Sequence, residues 1–299
     1  MIKINGISKF YDSVKSLNNV TTEIKDGSIF GLIGSNGSGK STLLRIMSGI
    51  FRANSGEVLY NGENVWENVK LKDKIVYLSD EQFFLPSSTL DDMAKLYAAV
   101  YSSFSFDTYK KLLGIFGLPE SRKIQTFSKG MQKQAAILLG ISAKPKYLLC
   151  DETFDGLDPV ARQFVKRIIA EQVAENGITP IIASHNLREL EDICDHIGLL
   201  HKGQILFESE VDDLKENIHT VQAVFSSEDA ADGISALKTV SVKKRGSMIT
   251  AVIRGTLGEV EESIAKLSPD FYEIIPLTLE EIFISEMEER GYDYTKVVF

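Results

Sequence analysis

The sequence predicts an α/β domain built on a largely parallel sheet, followed by a small α+β domain. Three observations carry this. Short apolar runs alternate with helically spaced ones through the first two thirds of the chain. A glycine-rich run, residues 34–42, follows one apolar run and opens a helical pattern. Beyond residue 220 the chain changes to a short strand and helix alternation with no nucleotide-type motif.

Taken in order, Met1–Ser8 alternates apolar and polar residues and reads as a strand, as do Val20–Ile24 and Glu57–Tyr60. Ser28–Ile33 is a buried strand ending at Gly34, and Lys40–Gly49 a helix closed by glycine. Ile75–Leu78 is another strand. Thr89–Leu118 turns helical, with Leu90, Met93, Leu96, Tyr97 and Val100 at spacings that favour one face. Gly130–Ala143 is a helix, Tyr147–Cys150 a strand, Val160–Glu175 a helix and Thr179–Ser184 a strand. A helix over Leu187–Asp195 and strands at Ile197–His201 and Gln204–Glu208 complete the first domain. Strands at Val221–Phe225, Val240–Lys244, Met248–Ile253 and Phe271–Ile275 follow. With helices near Asp229–Leu237, Leu257–Leu267 and Leu279–Arg290, they suggest a split βαβ unit.

The 299 residues suit about two domains. Composition is that of a globular protein, 43% hydrophobic and 25% charged. The net charge of −9 excludes bulk attraction to a phosphate backbone, so no nucleic-acid partner is expected. The charge is uneven: residues 1–219 carry net −3 and residues 220–299 net −6. A boundary is therefore expected near 210–220, giving domains at about 1–215 and 220–299. Cys150 and Cys194 form no disulfide framework, which suits a reducing compartment. No apolar run reaches the ~18 residues of a membrane span, and the opening MIKINGISKF has no secretion-signal core.

Gly34, Gly39, Lys40 and Ser41 satisfy G-x-x-x-x-G-K-[ST] within the run Gly34, Ser35, Asn36, Gly37, Ser38, Gly39, Lys40, Ser41, Thr42. Glycines let backbone N–H groups curl around phosphates. Lys40 supplies a mobile positive charge, the Ser41 hydroxyl suits Mg²⁺, and the following helix points its N-terminus at the anion. The apolar run Tyr147–Cys150 ends in Asp151-Glu152, which resembles a Walker B segment. Asp151 is the candidate for the Mg²⁺ shell and Glu152 for the general base.

Four further motifs carry a family resemblance. Phe127-Ser128-Lys129-Gly130-Met131-Gln132 resembles the ABC signature, and Phe154–Pro159, with Asp158, resembles the D-loop. Ala183-Ser184-His185 resembles the switch-histidine loop, and Tyr11 the aromatic that stacks on adenine. Residues 1–215 thus resemble the ATP-binding subunit of an ABC transporter. The resemblance implies a P-loop cassette with a RecA-like α/β core, an antiparallel β subdomain and a helical subdomain at about 85–145. The signature departs from the usual pattern at Lys129 and Met131 but keeps Ser128 and Gly130. In the loop after Ile75–Leu78, Asp80 occupies the place where the family has glutamine, and Gln82, two residues later, is a further candidate metal ligand.

The resemblance implies ATP and Mg²⁺ as ligands, with His185 contacting the γ-phosphate. It implies that Ser128, Lys129, Gly130 and Met131 act on ATP held by a second subunit, in a homodimer or a heterodimer with another ABC ATPase. The expected partner is a separate transmembrane permease, placing the chain on the inner, cytoplasmic face of the cell membrane. Thr278–Ile284 resembles the end of ATPases paired with small exporter permeases, which favours export. Two alternatives are a soluble ABC ATPase acting on ribosomes or nucleic acid, and a regulatory subunit that does not hydrolyse ATP. A single phosphate loop and signature weigh against the first, and intact Lys40, Asp151, Glu152 and His185 against the second. His196, His201 and His219 stand in no motif and read as structural, and Cys150 and Cys194 as core.

Overall fold

The computed structural model of the protein describes residues 1–226 and 233–289. The chain divides into two compact units, with the division at Glu208/Ser209.

The first unit opens with β1 (Ile2–Tyr11) and β2 (Val14–Ile24), a hairpin turning at Asp12, whose φ is +50°. Then come β3 (Phe30–Ile33), α1 (Lys40–Met47), β4 (Ser55–Tyr60), β5 (Glu63–Asn64), α2 (Val69–Lys72) and β6 (Ile75–Leu78). Three helices follow: α3 (Leu90–Val100), α4 (Phe106–Phe116) and α5 (Lys129–Ser142). The unit continues through β7 (Tyr147–Asp151), α6 (Pro159–Asn176), β8 (Thr179–Ser184), α7 (Leu187–Leu190), β9 (His196–His201) and β10 (Gln204–Glu210), whose end crosses the division.

Two sheets organise this unit. An antiparallel sheet has the order β2-β1-β4-β5, and a six-stranded sheet the order β10-β9-β3-β8-β7-β6. In the latter, β9, β3, β8, β7 and β6 pair in parallel. Parallel strands are covered on both faces, which is why β3, β7 and β8 are buried at every position. One core joins Ile4 and Val58 of the antiparallel sheet, Leu44 of α1, and Leu32 and Leu149 of the parallel sheet.

The continuous helical stretch expected over Thr89–Leu118 is two helices. Thr89 and Asp92 form a capping box that starts α3, and Ser105 caps α4 by accepting from the Thr108 N–H. Between them the Ser102 N–H donates to Asp73 Oδ1 at 2.8 Å, pinning an extended break. The helix expected over Leu187–Asp195 stops at Leu190. Asp195 is instead drawn to the edge of β3, where its Oδ2 accepts from the Ile29 N–H at 2.8 Å.

The second unit begins with the end of β10, then α8 (Val211–Glu216), a helix that buries Val211 and Leu214. It continues through β11 (Ile218–Val224), β12 (Thr239–Arg245), β13 (Met248–Arg254), α9 (Leu257–Lys266), β14 (Phe271–Pro276) and α10 (Leu279–Glu289). The four strands pair antiparallel in the order β12-β13-β11-β14, the strand order of a split βαβ sheet. Val221, Ala223, Ile249, Ala251 and Ile253 line the face that meets Val260 and Ile264 of α9. Of the helix expected near Asp229–Leu237, positions up to 232 lie outside the described residues. Ile234–Ala236 form a 3-10 turn. Arg290, the expected end of the last helix, also lies outside them.

Candidate nucleotide site

Ligands of open α/β sheets bind beyond the carboxyl ends of the strands. Here three adjacent strands end in sequence-singled residues. β3 leads into Gly34, β8 into His185, and β7 ends at Asp151 followed by Glu152.

The loop from Gly34 to Lys40 is shaped by close packing. A Cβ on Gly34 would meet the Leu200 carbonyl oxygen at 2.3 Å. Gly39 has φ +111°, and a Cβ there would lie 2.6 Å from the Ser16 carbonyl oxygen. Ser16 Oγ also donates to Thr42 Oγ1 at 3.0 Å, so the start of β2 is fastened to the loop. The same hairpin carries Tyr11, which is half-exposed, edge-on to Phe51 and under the Lys9 ammonium at 5.3 Å. The Ser38 hydroxyl is buried in the loop with no hydrogen-bond partner among the described residues.

Lys40 is only 5% exposed. Its Nζ donates to the Gly34 carbonyl at 2.6 Å and lies 3.1 Å from Glu152 Oε1. The other carboxylate oxygen, Glu152 Oε2, is 2.9 Å from His185 Nδ1 and accepts from the His185 N–H at 3.3 Å. Asp155 Oδ2 stands 3.9 Å from the same Nδ1. The Glu152, Asp155 and His185 ligand atoms all fall within 4.8 Å of one another. Lys40 already neutralises the Glu152 carboxylate there, so a divalent cation has better partners next door.

Those partners are Ser41 and Asp151. Ser41 Oγ donates to Asp151 Oδ1 at 3.0 Å, and Tyr77 Oη to Asp151 Oδ2 at 2.8 Å. A hydroxyl and a carboxylate side by side at a helix start are the hard oxygens Mg²⁺ takes, so the residues fit that ion. Burial pushes the Asp151 carboxyl above its ordinary range, against the two hydroxyl donors. Burial likewise pushes the Cys150 thiol up to about 12, as expected of a core residue.

The other expected residues sit differently. Ser128 is exposed and caps α5, its Oγ accepting from the Met131 N–H at 3.2 Å. Lys129 is exposed beside it, and Gly130 packs near the Gly156 carbonyl, 3.1 Å from where a Cβ would stand. Asp158 caps α6 through the Ala161 N–H at 2.9 Å. No hydrogen bond among the described residues joins the 128–131 segment to the phosphate loop. The Gln82 amide nitrogen donates to the Ser79 carbonyl of its own loop. Asp80 pairs with Lys133 at 3.2 Å. His219 is buried in the second unit, in line with its structural reading, and His196 stacks on Phe30 at 5.5 Å.

Two neighbours of the site, Tyr77 and Lys133, escaped the sequence reading, and Asp155 entered it only as part of the D-loop motif. Lys133 left a signal, since it is a charged residue on the apolar face that Ala136, Ile137 and Gly140 continue.

A glycine-rich loop, a buried lysine and a carboxylate pair at adjoining strand ends define a nucleoside-triphosphate-binding cassette. The ABC transporter family model matches residues 17–155. The chain is 31% identical over 286 residues to the ABC transporter ATP-binding protein YtrB of Bacillus subtilis (strain 168), covering 96% of this chain and 98% of that one. It is 32% identical to the bacitracin transport ATP-binding protein BcrA of Bacillus licheniformis, over 72% of each chain. A solved ATP-binding subunit of an ABC transporter superposes with TM-score 0.66 at 27% identity, covering 72% of this chain and 92% of that one. The chain belongs to the ATP-binding proteins of the ABC transporter family. It is an ATP-binding, ATP-hydrolysing subunit of that class. No helix among the described residues is long and apolar enough to cross a membrane.

Proposed function

We propose that this chain hydrolyses ATP at the Lys40–Asp151–Glu152–His185 cluster to power export through a separate membrane permease. The convergence of these side chains at the ends of β3, β7 and β8 carries the reading. Tyr11 stacks on the adenine. The loop amides of residues 34–42 and the Lys40 ammonium hold the phosphates, with the α1 N-terminus adding its dipole. Ser41 and Asp151 would hold Mg²⁺, which would supply charge neutralisation at the phosphates.

Lys40 then exchanges the Glu152 carboxylate for phosphate oxygens. That frees Glu152 Oε1 to accept a proton from the attacking water, while His185 keeps hold of the other oxygen and faces the γ-phosphate. The γ-phosphate leaves as inorganic phosphate, and ADP remains.

Ser128, Lys129, Gly130 and Met131 complete the site of a second ATPase subunit, assisted by Asp158. The exposure of Ser128 and Lys129 at the start of α5 supports that role, since groups that serve a partner must face outward. ATP favours the closed, head-to-tail dimer, and hydrolysis releases it. Export is favoured by the Thr278–Ile284 ending and by the bacitracin transport protein among the relatives. The permease holds the chain at the cytoplasmic face of the membrane.

Affinity purification of the tagged chain from detergent-solubilised membranes tests this. A multispanning protein of the cell membrane is expected in stoichiometric amount. Recovery with ribosomes, and with no membrane protein, would overturn the transport reading.

A further inference from the structure

Glu152 has a left-handed backbone, with φ +47°. For a residue with a side chain that region costs about 1–2 kcal/mol, so neighbouring contacts must hold it. Its N–H donates to the Ala183 carbonyl at 3.0 Å. Its own carbonyl accepts twice, from the Asp155 N–H at 3.2 Å and from Lys133 Nζ at 2.7 Å.

The second donor is unusual in kind. Lys133 is 9% exposed, and an ammonium removed from water needs partners. It has two: the Glu152 carbonyl and, at 3.2 Å, Asp80 Oδ1 in the loop after β6. The Asp80 side chain is 57% exposed, so the charge pair reaches from solvent to the backbone of Glu152. A bond from a charged donor is shorter and about twice as strong as a neutral one.

We propose that Lys133 is a positioning residue for Glu152: anchored by Asp80, its ammonium fixes the Glu152 carbonyl and thereby aims the carboxylate. This rests on Glu152 being the general base. The arrangement also makes that aim depend on α5, the helix that Ser128 caps and that carries Lys133. A shift of α5 by about 1 Å stretches 2.7 Å beyond hydrogen-bond range. Misplacing a reacting group by that much costs about 100-fold in rate.

Steady-state ATPase measurements on the purified full chain test this with Lys133→Met, Lys133→Arg, Asp80→Asn and Glu152→Gln, alongside calorimetric binding of a non-hydrolysable ATP analogue. Lys133→Met is expected to lower kcat about 10- to 100-fold. Its KM and analogue affinity should stay within about two-fold of wild type, because the phosphate loop is untouched. Lys133→Arg should recover part of the loss, and Asp80→Asn should lower kcat in the same direction. A merely structural lysine would lower the melting temperature and the folded fraction, not kcat per folded molecule. Wild-type kcat in folded Lys133→Met, or a loss confined to KM, overturns the proposal. If Lys133→Met does not fold, Asp80→Asn decides: reduced kcat with unchanged binding supports it, and wild-type kcat overturns it. Turnover retained in Glu152→Gln would instead sink the general-base reading. An inactive Glu152→Gln beside a wild-type Lys133→Met sinks this proposal alone.

Discussion

Lys40 Nζ lies 3.1 Å from Glu152 Oε1, and the two side chains are 5% and 11% exposed. The group expected to grip phosphate and the group expected to activate water neutralise each other. On the proposed function, a nucleotide γ-phosphate would compete with Glu152 for the same ammonium, making binding and activation of the base one exchange.

Lys40→Met should then do two things. It should weaken ATP binding by at least about tenfold, since a charged contact of roughly 1.5–3 kcal/mol is lost. It should also destabilise the fold by on the order of 3 kcal/mol, because breaking a buried pair strands its partner. Calorimetry with ATP and urea denaturation read the two effects. Unchanged ATP affinity would remove Lys40 from the phosphate site.

Asp151→Asn should raise the stability of the folded protein at neutral pH while impairing Mg²⁺-dependent turnover. The sign follows from burial, which raises the Asp151 carboxyl above its ordinary value. Such a group favours folding at pH below the unfolded carboxylate range and loses that contribution as pH rises through the folded value. As pH rises the wild type bears a growing cost of a desolvated carboxylate, and asparagine does not. The gain should shrink on acidification. Urea denaturation at pH 7 and pH 5 measures it, and a loss of stability at pH 7 would contradict the reading.

Ser128→Asp separates the helix cap from the action on a partner's nucleotide. Aspartate caps a helix as well as serine does, so α5 and the melting temperature should be little changed. A carboxylate facing the γ-phosphate of the opposing subunit should repel it. ATP binding to the monomer should match wild type, and the ATP-induced dimer should disappear from size-exclusion chromatography. A dimer formed as readily as in wild type would remove Ser128 from the interface.

The phosphate loop was legible because local rules fix it: glycines where the backbone crowds Ser16 and Leu200, then a lysine and a hydroxyl opening a helix. The parallel strands were legible because burial on both faces leaves unbroken apolar runs such as Tyr147–Cys150. Helix ends were less so. The apolar period runs through Tyr101, but Asp73, 29 residues away in sequence, holds Ser102 and breaks the helix. Lys133 and Tyr77 reach the site through contacts 19 and 74 residues distant in sequence, which no spacing rule encodes. In the Asp80 and Gln82 loop, position along the chain singled out Gln82, and the structure adds the local hydrogen bond from its amide nitrogen to the Ser79 carbonyl.

The central claim is that Glu152 is the base for ATP hydrolysis, held ready by Lys40 and His185. Phosphate release by purified Glu152→Gln, under conditions where ATP saturates both proteins, tests it most directly. The amide keeps the shape and the hydrogen-bonding oxygen but cannot take the proton. Turnover should fall by about 100-fold or more with ATP still bound. Glu152→Gln releasing phosphate at the wild-type rate would contradict the account.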